Sequence, residues 1–496
     1  MKGRAWMVSV AGLGLIGCVS GPPAIEGVAA APPQPNAYWK PPASVTAAPA
    51  PRPSTAGRLV SDTGAGPLSA QALRRLTLPQ AVDVALRNNP ATRVSWAEAR
   101  AAADLYGAAR GTIFPTITGS VTATRSLSIA VPGRLAGEHT QYGPAVSLSY
   151  LLFDFGGRTG GIEAARQTAI AADLAHNTAV QNTILQVEGS VFSYLATRAL
   201  RDAQQTALDE ATANLSAASD RHDVGLATIA DVLQARTARS QAQLDLETLD
   251  GQLNVTRGAL AVAMGLPATT TVDLPDEPAP DSSQIDAITQ SVDLLIETAT
   301  RNRPDLQQAR AEGRLAAARL QQAKSARLPS LAFTATGGHT GADVSGFAGN
   351  SYTLNLGLSI PLFTGFTNMY NVRAANEQLA AAQALTEFTR QQIALEVFTS
   401  YYTLRTAGQR VRTSADLLAS ADQSEQVARG RYTEGVGSII DLLVAQTALA
   451  SARAQAVQAR WQWRTALAQL AHDAGVLGIH GEAMAPLTTL SSPDNR

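Results

Sequence analysis

Four separated stretches of this chain occur twice, in the same order and nearly the same distance apart, so its fold must be assembled from two like halves. Asn88-Asn89-Pro90 returns as Asn302-Arg303-Pro304, and Phe114-Pro115-Thr116 as Leu328-Pro329-Ser330, both 214 positions later. Leu148-Ser149-Tyr150-Leu151-Leu152-Phe153 returns as Leu358-Ser359-Ile360-Pro361-Leu362-Phe363 after 210 positions. Arg221, Gly225, Asp231, Leu233 and Ala235 return as Arg431, Gly435, Asp441, Leu443 and Ala445, again after 210. Two copies are too few for a stacked solenoid, so this is an internal duplication. The copies span 71–270 and 285–475, with a tail over 476–496.

Each copy has one order of elements. A helical stretch opens it, such as Ala81 to Arg110. Pro115 or Pro329 ends that helix and starts an extended segment. Two alternating runs follow. In the second copy Tyr352, Leu354, Leu356, Leu358, Ile360 and Leu362 alternate with small or polar residues; in the first, Tyr142, Val146, Leu148, Tyr150 and Leu152 do so. A period of two puts each set on one face of a strand. A glycine-containing turn then leads into a proline-free run, from about Arg158 to His222 in the first copy. Its apolar seam is Ile184, Val187, Val191 and Tyr194; the second copy offers Leu385, Phe388, Leu395, Phe398 and Tyr402. Gly225 or Gly435 reverses the chain, and a return helix with Leu246, Leu249, Leu253 and Leu260 follows.

The strand pattern has two explanations. A sheet lying on a core shows the same alternation, but the helices satisfy one another and leave nothing to cover the apolar strand face. A membrane barrel fits the strand length of about 10 residues. Open edges are excluded in lipid, so the sheet must close. Four strands are too few to close alone, since the smallest membrane barrels have about eight.

Composition narrows the class. Charged residues make up 16% of the chain and the net charge is -1, so there is no basic surface for nucleic acid. The six histidines are scattered, and no phosphate loop, nucleophile elbow or metal-spaced Cys/His set is present. Trp461 and Trp463 read as packing residues. Enzyme chemistry has no support. At the N-terminus Lys2 and Arg4 precede a short apolar run ending in Leu15-Ile16-Gly17-Cys18. That reads as an export signal over 1–17, and its end resembles the lipobox of bacterial lipoproteins, which makes Cys18 the acylated residue. An ordinary secretory signal with a chance cysteine is the alternative. Residues 18–70 are rich in Pro and Ala, bury little, and read as a tether.

Two strand–strand–long helix–turn–helix repeats, with proline at the helix-to-strand junction and Phe153-Asp154-Phe155-Gly156-Gly157 after the second strand, resemble the TolC-type outer-membrane factors. The resemblance covers about 76 to 475. It implies a mixed α and β fold, a homotrimer whose twelve-stranded transmembrane barrel continues as a coiled-coil helical barrel. It further implies a passive duct in the Gram-negative outer membrane, lipid-anchored at Cys18, with its helical part in the periplasm. The implied partners are a periplasmic adaptor, an inner-membrane pump and outer-membrane lipid; no cofactor or metal is implied. A lipid-anchored periplasmic scaffold or adaptor without a pore is the alternative.

The resemblance also marks the hairpin turns. His222 to Leu233 and Tyr432 to Leu443 resemble the family's adaptor-docking tips, placing Gly225, Leu226, Gly435 and Val436 in that role. Helix capping by glycine and by Thr228 or Ser438 explains the same turns, except for their apolar Leu226 and Val436. Tyr432 and Asp441 match positions of the family's periplasmic gate. Gly437 and Val444 depart from that pattern, which puts an arginine lock and a double acidic ring in doubt. Asp441 reads equally as a first-turn acid favoured by the helix dipole.

Overall fold

The computed structural model of the chain describes residues 32, 34–40, 76–128, 137–275, 285, 291–342 and 348–477. The first copy comprises α1 (Leu78–Asn88), α2 (Pro90–Gly111), β1 (Thr116–Ser128), β2 (Gly137–Phe153), α3 (Gly157–Asp223) and α4 (Ile229–Ala263). The second comprises α5 (Val292–Asn302), α6 (Pro304–Ser325), β3 (Ser330–Ala342), β4 (Gly349–Ser359), α7 (Thr367–Thr433) and α8 (Ile439–Asp473). Matched helices have equal lengths of 11, 22, 67 and 35 residues.

The start of each copy corrects one expectation. The stretch Ala81 to Arg110 is two helices, because Pro90 pushes Asn89 out of the helical region to φ -65°, ψ 125°. The Asn89 side chain then accepts from the Ala91 N–H at 2.8 Å and caps α2. Arg303 before Pro304 has the same backbone angles.

At 1.5 Å per residue, α3 and α7 are each on the order of 100 Å long. The return helices α4 and α8 cover only the far part of their long partners, while α2 and α6 run beside the part nearer the sheet. Short helices meet end to end. Gly265, just past α4, lies against Asn88 and Asn89 so closely that a Cβ would stand 2.6 Å from the Asn88 carbonyl carbon. Gly475, just past α8, holds the matching place against Asn302 and Arg303. Their φ angles of 73° and 69° favour glycine as well. Across the first joint, the Asn89 side-chain amide donates to the Ala263 carbonyl at 3.1 Å. Each copy therefore supplies one continuous rod and one jointed rod, and α3 joins the copies by packing on α6 and α8.

The main apolar core surrounds these joints. It gathers Val82 and Leu86 of α1, Ile184 and Val187 of α3, Leu260 of α4, Leu295 of α5, Val397 of α7, and Trp461 and Leu470 of α8. Trp461 and Trp463 are buried in it, as the sequence predicts. The α3 seam is buried here too. The seam predicted on α7 is not: Leu385, Phe388, Leu395, Phe398 and Tyr402 are all exposed. They occupy a different face of the helix, since the duplicates of Val187 and Tyr194 are Val397 and Leu404, both buried.

Within the segment 18–70, expected to bury little, residues 34–40 are an exception; most of the rest lies outside the described residues. Trp39 is buried against Ile170, Ala171 and Leu174 of α3 and Ala311 of α6. The Asn177 side chain holds it at both backbone groups, accepting from Trp39 N–H at 2.7 Å and donating to its carbonyl at 2.9 Å. A His176 ring nitrogen lies 3.2 Å from the Ala37 carbonyl, and the Trp96 indole donates to the Pro32 carbonyl at 2.9 Å. This strap ties α3 to α6. Residues 1–17, Cys18 and the tail beyond 477 lie outside the described residues; Val476 and Leu477, at its start, pack on the core.

One turn from His176, Asp173 is buried with no hydrogen-bond partner on either carboxylate oxygen. Burial pushes its carboxyl from 3.8 to about 8. The folded chain thus holds this proton more tightly than the unfolded chain, so Asp173 lowers stability progressively as pH rises from about 4 to 8. Asp173→Asn is expected to remove that dependence. Its melting temperature relative to wild type should rise with pH across that window, and a pH-independent difference counts against the assignment.

The strands form one antiparallel sheet in the order β1-β2-β3-β4. Its registers place Ile117, Leu148, Ala335 and Leu354 in one row across all four strands, with Tyr150, Phe333 and Leu356 in another. Directly opposed residues share a face, so this face is apolar over the rows nearer the helices, while Arg125, Glu138, Thr140, His339 and Asn350 lie on it toward the far end. The other face carries the rows Thr116, Ser149, Thr334, Asn355 and Thr118, Ser147, Thr336, Thr353.

Candidate functional site

The sheet meets the requirements of a membrane wall. Its apolar face is open, with Val121 and Tyr352 each 82% exposed. Among the described residues β1 pairs only with β2, and β4 only with β3, so each has an outer edge without a partner. Exposed phenylalanines cluster where the strands meet the helices: Phe114, Phe153, Phe155, Phe363 and Phe366. Phe153 packs edge-on against Phe155 and Phe363 against Phe366, at centroid distances of 4.7 and 5.5 Å. Aromatic girdles of this kind sit at the interfaces of membrane barrels. No helix among the described residues is long and apolar enough to cross a membrane.

At the other end, the two hairpin turns are built alike. Gly225 and Gly435 have φ of 77° and 75°, and the next N–H reaches back to close the helix: Leu226 to Arg221 at 2.7 Å, Val436 to Arg431 at 2.9 Å. Thr228 and Ser438 then start the return helices, each in a capping box with the acid three residues on. Asp441 is that acid, its carboxylate 3.4 Å from the Ser438 nitrogen. Its position is thus fully explained by capping, as is that of Asp231.

Capping leaves Leu226 and Val436 unexplained. They are 71% and 69% exposed, and the exposed apolar surface extends beyond them. Val224, Ile229 and Leu233 continue it on the first tip, Ile440 and Val444 on the second. The steps from Ile229 to Leu233 and from Ile440 to Val444 are four residues each, which makes short helical stripes that adjoin Leu226 and Val436 in the turns. That spacing was readable in the sequence, but only the exposure distinguishes these residues from core.

Tyr432 does not face open space in the single chain. It is buried with Ala218, Val232, Ile439 and Leu442, where the two tips pack on each other. Gly437 is a fitting position here, since a Cβ on it would stand 3.0 Å from the Arg431 Cβ and 3.1 Å from its carbonyl carbon.

The family described as outer membrane efflux protein matches residues 81–266 and 295–476, the two copies. The chain belongs to that family. Protein CyaE of Bordetella pertussis is 30% identical over 421 residues, 83% of this chain and 86% of that protein. Outer membrane efflux protein BepC of Brucella suis is 26% identical over 79% of this chain and 84% of its own length. In fold, a membrane protein from Pseudomonas aeruginosa superposes with a TM-score of 0.74 at 23% identity, covering 85% of this chain and 99% of that one. The outer membrane protein VceC from Vibrio cholerae gives 0.72 at 19%, covering 80% and 96%. The family is one of efflux channel proteins, and membership gives the open sheet edges and the apolar tips a common context. Of the residues singled out from sequence, Gly225, Leu226, Gly435 and Val436 come together at one end, with Tyr432 and Asp441 beside them. Cys18 lies outside the described residues.

Proposed function

We propose that the chain is the outer-membrane duct of a tripartite efflux or type I secretion system, a passive path from periplasm to exterior. The observation that carries this reading is the sheet, apolar over most of one face, hydroxyl-lined on the other, and, among the described residues, unpaired along both outer edges. In lipid the outer edge of β4 must find the outer edge of another copy's β1. Two copies give eight strands and a side-chain-filled barrel, whereas three give twelve and an open lumen. The homotrimer follows.

The duplication supports the same closure among the helices. Within one chain α3 of the first copy leans on α6 and α8 of the second. Repeating that step lays α7 on α2 and α4 of the next chain, where the exposed α7 stripe finds cover. The tips then form the periplasmic mouth, with their apolar stripes docking a periplasmic adaptor that leads to an inner-membrane pump. Cys18 supplies the lipid anchor, and Tyr432 and Asp441 lie at the closing end.

Purified protein in detergent is expected to have the mass of three chains and to conduct in planar bilayers; a non-conducting monomer sinks the reading in favour of a scaffold. For docking, Leu226→Asp with Val436→Asp is expected to abolish export in cells while leaving bilayer conductance unchanged. Undiminished export counts against the tips.

A further inference from the structure

We infer that the junction between sheet and helices is a basic collar that selects anionic phospholipid headgroups, with Arg110, Lys324 and Arg327 holding their phosphates. The inference rests on the duct reading of the sheet. The segments that join strand to helix are 108–116, 153–161, 322–330 and 359–370. They carry four cations, Arg110, Arg158, Lys324 and Arg327, against one acid, Asp154. The junction is therefore net positive by three charges, in a chain whose total is -1. Asp154 is already engaged, since it accepts from the Arg158 N–H at the start of α3. Arg158 is engaged as well, its Nη1 donating to the Leu151 carbonyl at 2.7 Å. The other three cations are exposed, and none is paired with a carboxylate among the described residues.

Their depth matches a headgroup layer. The exposed phenylalanines mark the edge of the hydrocarbon, and Phe114 follows Arg110 by about one turn. The polar layer on each side of a bilayer is about 5–8 Å deep, and a helical turn rises about 5.4 Å. Cations one turn from the phenylalanines thus stand among the headgroups, where their long side chains can extend to phosphate. Lys324 is the duplicate of Arg110 after 214 positions, so a trimer, with two per chain, carries this cation six times around the collar. The helix dipole favours a cation in a last turn, which suits Arg110 and Lys324. It does not account for Arg327, which lies beyond the end of α6. A zwitterionic headgroup brings its own cation and leaves the surplus standing, whereas an anionic one neutralises it. One Lys or Arg near an anionic surface is worth about a five-fold preference.

The test uses the full-length protein reconstituted in vesicles of equal phosphatidylglycerol and phosphatidylcholine. Native mass spectrometry of the extracted trimer counts the lipids that stay bound. Wild type should retain phosphatidylglycerol over phosphatidylcholine by about five-fold. The triple variant Arg110→Gln, Lys324→Gln, Arg327→Gln should retain the two equally. Arg327→Gln alone, outside any helix, should lose part of the preference, and Lys324→Arg should lose none. Equal retention by wild type overturns the collar, as does a triple variant that keeps the preference. Should the triple variant fail to fold, an undiminished preference in Arg327→Gln overturns it instead. A variant whose reversal potential in a salt gradient shifts while its lipid preference stays puts these cations in the lumen, which also overturns it. A wild type without trimer or current overturns the duct reading.

Discussion

Replacing Leu395 and Tyr402 together by aspartate is expected to yield a folded chain that stays monomeric and carries no current. Both side chains are exposed in the single chain, and the ring contacts of Tyr402 are to Phe398 and Tyr401 of its own helix, so their loss leaves the packing between helices in place. Each apolar side chain covered by a neighbour contributes about 1.5–3 kcal/mol, and a buried unpaired carboxylate costs several more. Three interfaces each lose two apolar contacts and gain two buried charges. Light scattering in detergent reads the mass directly. The neighbour's side can be tested independently. Phe192 packs 6.1 Å from Trp461 within the chain. Advancing that pair 210 positions sets Tyr402 against Gly251 of the next chain. Nothing lies within 4 Å of a Cβ built on Gly251. Gly251→Trp should therefore leave the single chain intact and block the trimer. A stable trimer in either variant removes this contact from the proposal.

Trp39→Ala is expected to cost about 3–5 kcal/mol, the range for removing a buried large aromatic. The loss should be local, because the strap is held by a short list of contacts. Hydrogen exchange should show protection lost at 34–40 and weakened along α3 from Ile170 to Asn177, with the hairpin tips unaffected. Asn177→Ala should release the same segment with a smaller penalty, since it removes two hydrogen bonds of about 1 kcal/mol each. Unchanged protection in both variants would mean that the strap is incidental.

The duplication made much of the fold legible before any coordinates. The order of elements, the strand faces and the lengths of α3 and α7 all follow from periodicity and offsets. What was missed has physical reasons. Pattern alone could not separate one helix from two at Asn89-Pro90, because the apolar spacing continues through the break. The α7 stripe has helical spacing, but spacing cannot say whether its cover comes from the same chain or another. The strap was hidden by its surroundings: Tyr38-Trp39 is an aromatic pair within Pro- and Ala-rich sequence, and that contrast was the available signal. At the tips the glycines and capping residues were readable, whereas the packing of Tyr432 under Arg221 joins residues 211 apart and leaves no local trace.

The joints at Gly265 and Gly475 bear on how such a tube could move. A continuous helix resists twisting along its whole length, because every turn is tied to the next by hydrogen bonds. Where one helix ends and another begins, that ladder is interrupted, and relative rotation is opposed only by packing and a few side-chain bonds. Alternate rods of this wall are interrupted at the same level, where the core is thickest. The tube is thus built like a shaft with a coupling at mid-height. In the proposed duct, torque applied at the hairpin tips would be taken up there before it reached the strands.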